Sequence, residues 1–181
     1  MRRVKLRMIA PVFVDTNVLI YARDSGEPAK QPRASAWLRH LWQERAGRTS
    51  VQVLSEYYVN VTRKLVPGLS REEAWDDAVA LLAWRPQVID SALLQSGHEI
   101  EQRYRLSWWD SLVVAAAQCQ GCALLLSEDF QDGAVYGDVT VRSPFTLSLG
   151  EDTAAYVVAR SVAPARRPRG RPKGSTRRIR T

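Results

Sequence analysis

Two apolar runs constrain this chain more than anything else in it: Val12-Phe13-Val14 and Leu124-Leu125-Leu126. Neither alternates polar with apolar residues, so each reads as a strand buried on both faces. The first ends on Asp15, and the second is followed by Ser127-Glu128-Asp129. Val139 to Val141 predicts a last short strand, and Pro86 to Asp90 fits another. Helices are expected over residues 17–23, from Glu27 to about Glu44, over 51–65 behind Thr49 or Ser50, and over 91–104. Two more open on capping boxes. Ser70-x-x-Glu73 starts one that reaches about Ala83; Ser107-x-x-Asp110 starts one that reaches about Gln120 and closes at Gly121. The last is nearly all apolar, which predicts burial. Strands alternating with helices give an α/β fold with a mainly parallel sheet covered on both faces. Right-handed crossovers then set the strand C-termini on one edge, where functional groups gather.

The 181 residues suit one domain with a little to spare. No apolar run approaches the ~20 residues needed to cross a bilayer. The stretch from Met8 to Val14 is too short for a secretory signal, so a cytoplasmic protein without a membrane partner is expected. The net charge of +7 is unevenly spread. Residues 1–7 hold four bases and residues 164–181 hold eight, with no acid in either, which leaves 14 bases against 19 acids between. A mildly acidic body with basic ends points to a polyanionic partner. Cys119 and Cys122 form a C-x-x-C pair, but no second pair or ligand-spaced His accompanies them. They read as packing residues near a helix end rather than a zinc site.

Four acids stand where chemistry is done. Asp15 and Asp129 follow strands. Asp110 lies in the first turn of a helix. Glu56 lies about 200° around its helix from Leu54, opposite the Leu54/Tyr57/Tyr58/Val61 stripe, and so outside the core. A hard divalent cation takes oxygen ligands and keeps several waters. Clustered carboxylates repel one another and stay ionised when a cation joins them. Taken singly, each acid is more readily explained as a cap or a solvated side chain, and no spacing rule alone joins them.

A resemblance joins them. Phe13-Val-Asp15-Thr-Asn17-Val-Leu-Ile-Tyr21, Ser50-Val-Gln-Val-Leu-Ser-Glu56-Tyr-Tyr58, Ser107-Trp-Trp-Asp110-Ser-Leu-Val-Val-Ala-Ala-Ala117 and Leu124-Leu-Leu-Ser127-Glu-Asp129-Phe-Gln-Asp-Gly133 resemble, in order, the motifs of PIN-domain nucleases. The likeness covers roughly residues 11–146. It implies a three-layer α/β/α sandwich around the parallel sheet. It implies that Asp15, Glu56, Asp110 and Asp129 are the catalytic, metal-holding acids, with Asn17 and Ser127 as supporting polar residues. It also implies Mg²⁺ or Mn²⁺ as cofactor, hydrolysis of RNA without a protein nucleophile, a homodimer, and the toxin role of VapC-type proteins held inactive by an antitoxin.

The expected domains are a basic extension (1–10), the nuclease domain (11–150), a linker or short helix (151–163) and a basic, disordered tail (164–181). Within the tail, Arg167-Pro-Arg169-Gly170-Arg171-Pro-Lys173-Gly resembles an AT-hook. Prolines keep such a segment extended, and arginines enter the narrow minor groove of A·T-rich DNA. A generic basic tail would instead bind any nucleic acid through counterion release. Two competing functions follow: a DNA-binding regulator working through the tail, and a DNA nuclease of the flap-cutting kind. Retention of all four acids favours RNA cleavage over the first. Absence of recognisable additional domains ranks the second lower.

Overall fold

The computed structural model describes residues 10–149. All but the last residue of the N-terminal extension, the 151–163 segment and the basic tail with its AT-hook-like motif lie outside them. The elements run β1 (Val12–Val14), α1 (Thr16–Tyr21), α2 (Gln31–Gln43), β2 (Gly47–Arg48), α3 (Val51–Arg63), α4 (Arg71–Leu81), a 3-10 turn (Leu82–Trp84), α5 (Ser91–Tyr104), α6 (Trp108–Cys119), β3 (Leu124–Leu126), β4 (Val135–Tyr136) and β5 (Val139–Arg142).

The strands form one sheet in the order β2-β1-β3-β5-β4. β1 pairs parallel with β2 and β3, and β3 parallel with β5; only β4 runs antiparallel, at the edge. β1 and β3 are buried along their whole length, as their unbroken apolar runs require. α1 packs on α2 and α3, and α3 on α4; α5 packs on α6, which lies against β3 and β5. The architecture is the three-layer α/β/α sandwich.

Chain direction across the sheet reverses between β1 and β3: one leads outward to β2, the other to β5. That is the switch point where the open edge of a parallel sheet forms a crevice. Register sets Val14 opposite Leu126, so Asp15 and Ser127 emerge side by side. The Asp15 N–H closes the ladder on the Leu126 carbonyl at 3.0 Å.

Local signals account for most helix ends. Ser50 Oγ accepts from the Val53 N–H, and the Ser70/Glu73 capping box forms in both directions. The α6 helix ends with Cys122 N–H on Ala117 O and Gly121 N–H on Gln118 O, a Schellman pattern. It needs the left-handed φ of +67° that Gly121 supplies without strain. Residues Ser111 to Ala117 are all buried, as the apolar sequence of α6 predicts.

Several expectations are corrected. Residues 86–90 form no strand; Gln87 makes a single parallel bridge to Ser50, while Val88 and Ile89 face solvent. The helix expected from Glu27 starts at Gln31, because 27–30 spend their hydrogen bonds on turns and Pro32 suits a first turn. Ser107 caps α6 through the Asp110 N–H, but Asp110 returns its carboxylate to the Ser107 hydroxyl rather than to the backbone. β2 and β4 have no counterpart among the expected strands, because two residues carry no periodicity. Gly47 in β2 is needed for packing: a Cβ there would lie 2.4 Å from the Trp84 ring.

Candidate active site

Asp15 sits at the end of β1 and caps α1, its side chain accepting 2.7 Å from the Thr16 N–H. Only 5% of it is exposed. Its other oxygen accepts from the Ser127 hydroxyl at 2.6 Å and from the Asn17 amide at 3.2 Å. That amide also donates to Ser127 Oγ at 3.0 Å. The Ser127 hydroxyl in turn accepts from the Asp129 N–H at 3.1 Å, and Asn17 Oδ1 from the Glu128 N–H. Ser127 is fully buried. Asn17 and Ser127 thus hold Asp15 and the Asp129 loop together across the switch point.

Glu56 reaches the same place from α3. Its Oε2 accepts from the Thr16 hydroxyl at 2.9 Å, so Thr16 joins both carboxylates, one by backbone and one by side chain. Glu56 Oε1 accepts from the Gln52 amide at 3.0 Å. The same amide donates to the Trp109 carbonyl at 3.3 Å, which ties α3 to the first turn of α6 next to Asp110. Glu56 is half-buried, turned from the α3 core residues Val53, Leu54, Tyr57 and Val61 as its helical position predicts.

The electrostatics follow from burial. The Asp15 carboxyl is pushed up from 3.8 to about 6, first by desolvation. The bonds from Ser127 and Thr16 oppose that rise, and the charges of Asp129 and Glu56 add to it. Asp110 acts electrostatically on Tyr136, which packs against Phe130, the residue after Asp129. Hydrogen bonds therefore tie the carboxylates of Asp15 and Glu56 through Thr16 and hold the main chain of Asp129 through Ser127. The Asp110 carboxylate accepts from Ser107, and among the described residues no hydrogen bond ties it to the other three acids. Among the described residues no three His, Cys, Asp or Glu side chains converge tightly enough to hold an ion by themselves. The donor set nevertheless suits a hard cation: all oxygen, one member buried and mutually repelled, with hydrogen bonds orienting it.

Residues that carried no role in the sequence reading support the site. Thr16 stood inside a quoted motif, and Gln52 lies one helical turn before Glu56. Lys30 donates 2.7 Å to Glu128 Oε2 and 3.0 Å to the Tyr21 hydroxyl, neutralising the acid beside Asp129. Asp132 is structural: it accepts from Arg142, the Ser143 N–H and the Thr146 hydroxyl. Cys119 and Cys122 are not joined by a disulfide; Cys122 is buried as expected, whereas Cys119, expected to pack as well, is exposed. Neither histidine bonds to the four acids; His98 lies 3.7 Å from Glu101 and His40 stands edge-on to Trp37. Among the described residues no helix is long and apolar enough to cross a membrane.

No curated protein matches the sequence. Among solved structures, VapC20 of Mycobacterium tuberculosis, a sarcin-ricin loop cleaving toxin, is 21% identical over 65% of this chain and 89% of its own, with a TM-score of 0.48. VapBC2 of Rickettsia felis, solved bound to a DNA fragment from its promoter, is 13% identical over 73% of this chain and 97% of its own, also with a TM-score of 0.48. The PIN domain model matches residues 12–131, a span that includes Asp15, Glu56, Asp110 and Asp129, and the chain belongs to the PIN-domain family.

Proposed function

We propose that the chain is a metal-dependent endoribonuclease that hydrolyses RNA phosphodiester bonds at Asp15, Glu56, Asp110 and Asp129. The observation that carries this reading is a buried Asp15 at the sheet switch point, raised to about 6 and acted on by the charges of Asp129 and Glu56. A structural cap does not call for two more acids around it; a cation does. Mg²⁺ or Mn²⁺ held by these four would activate a water and neutralise charge at the scissile phosphate. Ser127, Asn17 and Thr16 orient Asp15, and Gln52 orients Glu56. The Lys30 pair keeps the Glu128 charge away from an incoming phosphate. We assign the chain the toxin role of a toxin–antitoxin pair on the strength of its four sequence motifs, acting as a cytoplasmic homodimer. The basic tail, through Arg167, Arg169, Gly170, Arg171 and Lys173, gives it A·T-rich DNA as a second ligand.

The test is cleavage of a labelled RNA mixture with Mg²⁺, Mn²⁺ or EDTA, by wild type and Asp15→Asn. Metal-dependent cutting that the variant lacks is expected. Equal products from both proteins would sink the reading.

A further inference from the structure

Without a cation, a site built of carboxylates repels an RNA strand, so part of the grip on the strand has to come from other side chains. Exposed aromatic faces are one source: every base has a π-face, and unpaired bases stack on them. Adjacent tryptophans open α6, and they part ways. Trp108 packs partly buried against the core, its ring close to where a Cβ on Gly97 would lie. Trp109 is 59% exposed, and among the described residues no other ring packs on it.

Trp109 is nevertheless rigidly based. Its main chain lies in a turn fixed by Ser107, whose hydroxyl accepts from the Asp110 N–H at 3.2 Å and whose carbonyl accepts from the Ser111 N–H at 2.9 Å. Its own carbonyl takes the Gln52 amide that also holds Glu56. The Trp109 backbone is thus within two hydrogen-bond lengths of the Glu56 carboxylate, and the next residue is Asp110. Other large exposed apolar side chains, such as Trp75, Val79 and Leu82, line a groove between α3 and α4 that includes none of the four acids.

We propose that Trp109 is the base-stacking platform of this site, taking an unpaired nucleobase of the RNA strand next to Glu56 and Asp110. The proposal rests on the ribonuclease reading and deepens it. Stacking needs an unpaired base, because a base still stacked in a duplex cannot present its face to the indole.

The experiment measures anisotropy of a fluorescein-labelled single-stranded RNA of mixed sequence, and of the same RNA as a duplex, in EDTA. The full chain is compared with Trp109→Leu, Trp109→Ala and Trp109→Phe, each checked for folding by circular dichroism. Leu keeps the apolar bulk without the π-face, so it remains informative if the Ala variant does not fold. Expected is a loss of about 10–100-fold in single-strand affinity for Leu and Ala, with Phe keeping most of it. Duplex binding, set by phosphates, should not change. With Mn²⁺, the Leu variant should show a raised KM and a kcat near that of wild type.

Wild-type affinity in Trp109→Leu, an equal loss with Phe, an equal loss on duplex, or no single-strand binding by wild type each overturns the platform. So does a changed oligomeric state in Trp109→Leu with RNA binding intact, which would give Trp109 to a protein interface. If wild type cuts RNA while Trp109→Leu binds normally, the platform fails and the nuclease stands. If Leu loses binding but wild type cuts nothing, the nuclease fails and the platform stands.

Discussion

Asp15 is a buried acid whose folded form keeps its proton longer than the unfolded chain does, since its pKa rises from 3.8 to about 6. The sign of the pH effect follows. Below about pH 4 both states hold the proton and nothing is lost. Between there and about pH 6 the unfolded chain has released it and the folded chain has not, so stability falls as pH rises. The slope of about 1.4 kcal/mol per pH unit makes the whole loss on the order of 2–3 kcal/mol. Urea unfolding in EDTA from pH 4 to 7 should show this decline in wild type. The Asp15→Asn protein should lack that component and be at least as stable at pH 7, while its cleavage falls by about 100-fold or more. Ser127→Ala removes a bond that holds Asp15 and should cost about 10–100-fold in metal affinity or cleavage, read by Mn²⁺ titration.

Between elements, one polar tie centres on Asp77 of α4, which accepts from Tyr57 of α3 at 2.5 Å and from both arms of Arg23 beyond α1. Tyr57 is almost wholly buried, so losing its acceptor strands a hydroxyl. Asp77→Ala should destabilise by about 1–3 kcal/mol in urea unfolding, and Tyr57→Phe in the same chain should recover part of that. The other vulnerable junction is β2 against the 3-10 turn. Gly47→Ala drives a Cβ into the buried Trp84 ring, which itself packs 5.2 Å from Trp42. A cost of about 1–3 kcal/mol, seen as a lower melting temperature, is expected. Both changes lie away from the acids, so cleavage by the folded fraction should persist.

Over the whole molecule, charge and chemistry are separated along the chain. Removing residues 164–181 takes the net charge from +7 to −1. The truncated chain should cut short single-stranded RNA with kcat near that of the full chain. Its affinity for A·T-rich duplex DNA should drop by at least tenfold at low salt. The salt dependence of binding should flatten as well, by about 0.9 in slope for each phosphate the tail no longer neutralises. Equal weakening on G·C-rich duplex would mark a generic basic tail; selective weakening on A·T-rich duplex supports the minor-groove reading.

What the sequence determined by itself was local: strands where apolar runs do not alternate, helix starts at Ser70, at Ser107 and at Thr49 or Ser50, of which the structure uses Ser50, and a stop at Gly121. These signals lie within a few residues of what they govern, so they are legible without a fold. The order of the four motifs also carried the family. Tertiary structure alone decided the rest. Strand order set Asp15 beside Ser127, 112 residues away along the chain. The Thr16 hydroxyl found Glu56 across 40 residues, and Gln52 found Trp109 across 57. The edge strands β2 and β4 exist because neighbours supply their hydrogen bonds, while 86–90 lacks a second strand to pair along its length. Burial is likewise a property of the packed whole, and it is burial that turns Asp15 from an ordinary cap into an acid with a raised pKa.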